Sequence, residues 1–242
     1  MSDDAALARA LAEAAGALLL EVRARGGDGR LLGDAGDREA NALLMARLAA
    51  ERPEDGVLSE ESADDLVRCA MRRVWIIDPL DGTREYGEGR EDWAVHVGLS
   101  VDGVAAVGAV ALPALGRCHD SASAALGPRG EALRMVVSRS RAPALVGPVA
   151  EALGAELVPM GSAGAKAMAV LEGRAEIYLH DGGQHQWDNC APVAVARAAG
   201  LHCSRIDGSP LVYNGAQTLV PDLLICRAEL AADVLAAIAR AR

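Results

Sequence analysis

The sequence predicts a first half of the α+β class followed by an α/β second half. Three observations carry that prediction. Two helical stripes open the chain, an Asp-Gly pair joins two apolar runs near its middle, and short apolar runs then alternate with helical patterns to the end.

The opening residues, "MSDDAALARALAEAAGALLLEV", place Leu7, Leu11, Ala14, Leu18 and Val22 on one helical face. Acids stand where a secretory leader would carry Lys or Arg, so an amphipathic helix is expected there. "RARGGDGR" follows, a Gly-rich break with three arginines, read as a mobile loop that is either simply solvated or closes over a bound molecule. Residues 37–50 form a second helix by the stripe Ala40, Leu43, Leu44, Leu48, and "ERP" ends it. "GVLSEE" is a short strand running into acids, and "RVWIID" is another. "DWAVHVGLSVDGVAAVGAVALP" reads as two strands joined at Asp102-Gly103, the strongest hairpin signal in the chain. "ALGPRGEALR" is the expected seam between halves 1–125 and 126–242. Beyond it come "RMVVS", a helix over about residues 142–153, "ELVPM", "SAGAKAMAVLEG", "AEIYL", "WDNCAPVAVARAAG" and a last helix from about residue 227.

Composition narrows the function. The 242 residues are 51% hydrophobic and 24% charged, enough for real cores in a soluble chain. Phe is absent and aromatic content is 2%, so Ala, Val and Leu must build those cores. A net charge of -10 leaves no basic excess to displace counterions, which excludes a nucleic-acid polymer as partner. An anionic small substrate stays open, because bound cations reverse the local field. Five scattered cysteines without C-x-x-C spacing read as reduced thiols of a cytoplasmic protein. No run of ~18 apolar residues exists, so no membrane association is expected.

The chemistry concentrates in acids at strand ends. Asp78 precedes Pro79, which biases it toward an extended backbone, with Leu80 and Asp81 expected in the turn just beyond. Two carboxylates and a carbonyl there suit Mg²⁺. Glu60 and Glu61 end another strand, and Asp188 opens a helix, where the dipole tolerates an anion. Taken singly, Asp78 and Asp81 read equally well as turn formers, Asp188 as an N-cap, and Glu60 and Glu61 as solvated surface. His180, Asp181, His185 and Cys190 match no zinc spacing, and His96 reads as a packed core residue.

In combination "SEES", "WIIDPLDGT" and "WDNCAP" resemble the lithium-sensitive, Mg²⁺-dependent inositol monophosphatase superfamily over nearly the whole chain. The resemblance implies a layered αβαβα sandwich of the inositol monophosphatase and fructose-1,6-bisphosphatase type. It implies a first Mg²⁺ on Glu60, Asp78 and the Leu80 carbonyl, a second on Asp78, Asp81 and Asp188, and leaves open a third near Glu60. Thr83 with Asp37 would orient and deprotonate the attacking water, while Gly82 and Thr83 offer backbone N–H groups to phosphate. "LLGDAGDREAN" departs from the family pattern by lacking a threonine two residues before Asp37.

"VVSRSRAP" and "GSAGAKAMAVLEGRAEIYLH" resemble segments of 3'(2'),5'-bisphosphate nucleotidases of the CysQ type. Such enzymes remove the 3'-phosphate of 3'-phosphoadenosine 5'-phosphate (PAP), a by-product of sulfate activation. By that resemblance Arg139, Lys166, Arg141 and His180 are candidates for a second phosphate, with Ser138, Ser140, Gly161 and Ser162 as further contacts. Lys166 alone would read as solvated surface, and Arg141 stands where the family has His. Rival readings are an inositol or fructose-bisphosphate phosphatase of relaxed choice and a non-catalytic nucleotide sensor. A homodimer is the assembly many relatives form.

Overall fold

The computed structural model describes residues 2–27, 29–140 and 144–242. Helices α1 (Ser2–Ala24) and α2 (Gly29–Glu51) lead the chain. Asp3 and Asp4 in the first turn of α1 and Arg23 in its last complement the helix dipole. The second helix starts well before the expected residue 37. Nothing in residues 29–36 breaks a helix outright, and the buried stripe extends back through Leu32, Gly33 and Gly36. Gly29 and Arg30, expected in a loop, therefore belong to α2.

The first sheet runs in chain order: β1 (Gly56–Ser59), β2 (Arg73–Asp81), β3 (Ala94–Val101), β4 (Val104–Leu112) and β5 (Arg117–Asp120). Only β1 and β2 pair in parallel. Asp102 and Gly103 both have positive φ, 52° and 79°, which an expected two-residue hairpin turn needs. A short helix α3 (Thr83–Gly87) follows β2 directly.

The second sheet has the order β7 (Glu156–Met160), β6 (Arg134–Ser138), β8 (Ile177–His185), β10 (Leu219–Cys226), β9 (His202–Ser204). Its β7-β6-β8 part is parallel and its β8-β10-β9 part antiparallel, so the sheet of the expected α/β half is mixed. The remaining helices are α4 (Val146–Leu153), α5 (Ala163–Leu171), α6 (Gln186–Ala198) and α7 (Ala231–Ala241). The last starts later than expected because residues 228–230 form a separate 3-10 turn.

Strand alternation dictates the layers. Trp75, Ile77, Val95, Val97, Leu99, Ala109 and Ala111 point from the first sheet into a core shared with α1 and α2. Val74, Ile76, Ala94 and Val110 point the other way, against α5 and α6. Those helices also meet Tyr178, Leu223 and Ile225 of the second sheet, whose far face packs on α4 and α7 through Leu179, Leu224, Val149 and Ile238. The result is the expected αβαβα sandwich, with its middle helices supplied by the second half of the chain.

One contact in that middle layer is unusually close. Gly98 and Gly108 are register partners on β3 and β4. A Cβ at Gly108 would lie 2.4 Å from the Ala191 carbonyl oxygen, and one at Gly98 would lie 2.9 Å from the Ala191 nitrogen. Two adjacent glycines thus make a flat seat in which the backbone of α6 rests on the sheet.

Candidate active site

The site begins with an irregularity in β2. In a regular strand, residues three apart face opposite sides. Asp78 pairs with His96 and Asp81 with Ala94, so β2 carries one residue more than β3 in this interval. Pro79 lacks the N–H for a ladder bond, and the Leu80 N–H bonds instead to Asp78 Oδ1 at 3.0 Å. This bulge returns both carboxylates to the α6 side of the sheet. The strand was expected to stop at Asp78; it continues through Asp81.

Each carboxylate is tied to the protein by one oxygen. Asp78 uses Oδ1 for Leu80. Asp81 Oδ2 accepts from the Ser162 hydroxyl and, at 2.7 Å, from the Gly164 N–H at the start of α5; His96 Nε2 lies 3.1 Å from the same oxygen. Asp188 sits in the first turn of α6 and accepts from the His185 N–H in a reciprocal cap. Ligand oxygens of Asp78, Asp81 and Asp188 all lie within 4.8 Å of one another.

Such crowding disturbs protonation. Burial, then the charges of Glu60, Asp81 and Asp188, push the Asp78 carboxyl well above its usual range. Burial and Asp81 raise Asp188 to about 6. Glu60 is exposed at one edge but within reach of Asp78, and desolvation with the Asp188 and Asp81 charges lifts it to about 7. Asp81 goes the other way: burial would raise it, but His96, Lys166 and Ser162 outweigh burial and hold it well below the carboxylate range.

Asp37 lies on the buried face of α2. Glycines bring that helix close, since a Cβ at Gly33 would meet Thr83 Cγ2 at 2.6 Å and one at Gly36 would meet Leu19, Leu80 and Tyr86. Asp37 reaches Thr83, and its Oδ1 is buried without a hydrogen-bond partner. Burial, Glu61 and Glu60 raise it to about 8 against the opposing Thr83 bond. Thr83 donates to the Leu80 carbonyl at 3.1 Å.

A cavity of about 480 Å³ opens beside these acids. Asp81, Gly82, Thr83, Ser138, Ser140, Gly161, Ser162, Lys166, His180 and Asp188 line it. Another cavity, of about 470 Å³, lies behind Asp92 and Met160 and has no such carboxylate group.

Residues 2–241 match the model of the inositol monophosphatase family. The chain belongs to the inositol monophosphatase family. A Mycobacterium leprae protein named 3'-phosphoadenosine 5'-phosphate phosphatase is 52% identical, over 97% of this chain and 93% of its own length. The Escherichia coli protein named 3'(2'),5'-bisphosphate nucleotidase CysQ is 31% identical, over 74% of this chain and 78% of its own. Among solved structures, CysQ from Bacteroides thetaiotaomicron superposes with a TM-score of 0.81 at 25% identity, covering 93% of this chain and 97% of that one.

Within this inositol monophosphatase family member, several expected substrate contacts sit differently. Arg139 is off the cavity wall: its guanidinium pairs with Glu85 and Glu88, each at 2.8 Å. Lys166 is not solvated surface but buried, its ammonium donating to the Gly161 and Ser162 carbonyls at 3.1 and 2.6 Å. The Ser162 hydroxyl is already committed to Asp81. Arg141 lies outside the described residues. Sequence reasoning overlooked Arg84, Tyr178 and Gln184 on the cavity wall. Tyr178 was within reach, since it shares a strand face with His180; Gln184 was not, because "DGGQ" reads as a turn, not as the continuation of β8.

Proposed function

We propose that this chain is a Mg²⁺-dependent phosphomonoesterase that removes the 3'-phosphate of PAP to give AMP, and that of its sulfated relative PAPS to give APS. The carrying observation is the gathering of Asp78, Asp81 and Asp188, distant in sequence, to within 4.8 Å. The donor set fits the ion: hard carboxylate oxygens, each held by a protein N–H or hydroxyl, with the Leu80 carbonyl beside them. Glu60, Asp78 and Leu80 would hold one ion, and Asp78, Asp81 and Asp188 another. When bound, a pair of such ions polarises the phosphoryl group and offsets charge on the attacking and leaving oxygens.

The remaining work falls to the chain. Thr83 has one hydroxyl proton and two acceptors within reach, the Leu80 carbonyl and Asp37. Burial with the Glu61 and Glu60 charges holds Asp37 up at about 8, so its ionised form is favoured once Glu60 holds a cation. Thr83 then donates to Asp37 while its oxygen accepts from water, which orients that water for attack. The water gives up one proton toward Thr83 and Asp37 as its oxygen forms the new P–O bond. The bond to the ribose 3'-oxygen breaks, and that oxygen takes up one proton, so the step is proton-neutral overall. The wall of Ser138, Ser140, Gly161 and His180 would take the nucleoside 5'-phosphate portion.

The choice of PAP rests on the mycobacterial relatives, 52% and 53% identical, that carry that substrate in their names. Phosphate release should be compared for PAP, PAPS, inositol 1-phosphate and fructose 1,6-bisphosphate, with Mg²⁺ and with EDTA. PAP should give the largest kcat/KM, and Li⁺ should inhibit. Equal kcat/KM for inositol 1-phosphate would refute the substrate assignment, and no release from any ester would leave a nucleotide sensor.

A further inference from the structure

Neither the motifs nor the proposed chemistry uses His96, yet it lies buried against the ligand carboxylate Asp81. It is fully buried on β3, on the face that looks toward α6. Its ring touches three other elements. Nε2 lies 3.1 Å from Asp81 Oδ2 at the end of β2. Nδ1 lies 3.0 Å from the carbonyl oxygen of Trp187, the residue before Asp188 in α6. At the start of α5, Gly164 is so close that a Cβ there would fall 2.1 Å from Nε2. A carbonyl oxygen can only accept, so Nδ1 must be the donor in that contact.

We propose that His96 is a positioning residue that fixes the spacing of the ligand carboxylates by bridging β2 to the first turn of α6. Asp81 belongs to the first half of the chain and Asp188 to the second, and no strand pairing joins them. The imidazole is a rigid spacer between them. One nitrogen faces the Asp81 oxygen that Ser162 and Gly164 also hold, and the other holds the backbone next to Asp188. The glycine at 164 is required because any side chain there would drive the ring off Asp81. This inference rests on the metal reading above and extends it to a residue that touches neither ion nor substrate.

The test is Mg²⁺ titration of the free protein, followed by thermal melting, for wild type, His96→Gln, His96→Leu and Asp188→Asn. Gln can donate one N–H toward Asp81 but sets its own carbonyl oxygen against that of Trp187. The Mg²⁺ concentration for half-maximal stabilisation should rise about 10- to 100-fold in His96→Leu, the range seen when partners of metal ligands are removed. His96→Gln should fall between Leu and wild type, and KM for PAP should stay within about threefold in both. A midpoint for His96→Gln within twofold of wild type overturns the inference, whether or not the Leu variant folds. Absence of any Mg²⁺-dependent shift in wild type, or a shift untouched by Asp188→Asn, overturns the metal reading itself.

Discussion

Gly108 offers the sharpest lever on the site without touching any group in it. A methyl there would stand 2.4 Å from the Ala191 carbonyl oxygen, 3.0 Å from Ala191 Cα and 3.0 Å from Ala194 Cβ. An ordinary carbon–oxygen contact needs about 3.3 Å, so α6 must lift from the sheet by about 0.9 Å. The obstruction is backbone, so no rotamer change can relieve it. Asp188 is one turn before Ala191, and a stiff helix carries it along. Overpacking of this kind costs about 1–3 kcal/mol, a loss most domains survive. Misplacement by about 1 Å costs a catalytic constellation about 100-fold in rate. Gly108→Ala should therefore melt cooperatively, a few degrees low, and release phosphate from PAP about 100-fold more slowly at saturating Mg²⁺. Gly98→Ala, with nearest approaches of 2.9 Å to Ala191 N and 3.0 Å to Cys190 Sγ, should fall between it and wild type. Circular dichroism melts and a phosphate-release assay on the three proteins decide the matter. A kcat for Gly108→Ala within threefold of wild type would refute the claim that this seat sets the position of Asp188.

Other expectations follow from the same coordinates. Asp81→Asn, which keeps the size of the side chain but removes a ligand charge, should lower kcat by at least about 100-fold while leaving the circular dichroism spectrum unchanged; near-wild-type turnover would show that Asp81 holds no ion. Lys166→Met takes the ammonium donor from the buried Gly161 and Ser162 carbonyls, of which Ser162 keeps the Lys166 N–H, so it should cost about 1–3 kcal/mol in urea unfolding and change KM alike for PAP and inositol 1-phosphate. A KM effect confined to PAP would restore Lys166 as a phosphate contact. Burial would raise the Glu172 carboxyl, but hydrogen bonds from His119 and Arg174 prevail and hold it at about 2. Its stabilisation is present above the unfolded value near 4.5 and disappears as pH falls toward 2. Unfolding free energy should therefore drop on acidification through that window, and Glu172→Gln should flatten that part of the profile.

Local pattern made most of the architecture readable. The Asp102-Gly103 turn, the Leu stripe of α1 and the alternation through "AVHVGLSV" each report a period that backbone geometry imposes. What stayed hidden lacks a local signature. Strand β5, "RCHD", has no apolar rhythm and is a strand because β4 offers its edge. Strand β10, "LVPDLLIC", contains a proline and a register shift between Val220 and Asp222, which blur its alternation. At the site, residue types announced the acids, and family motifs ordered them. The supporting contacts were illegible: that Ser162 bonds Asp81, or that Arg139 turns to Glu85 and Glu88, depends on pairs far apart in the chain. The same holds for Gly36, where close packing of α2 on Leu80 and Tyr86 leaves no room for a side chain.

The middle helix layer has a further consequence. Asp78 and Asp81 arrive on one slab of the sandwich and Asp188 on a helix contributed by the other, so the centre exists only while the two slabs are docked. In a denaturant series, turnover should vanish before ellipticity does, because a slight parting disarms the enzyme while every strand and helix persists. Activity in this architecture is a gauge of docking rather than of folding.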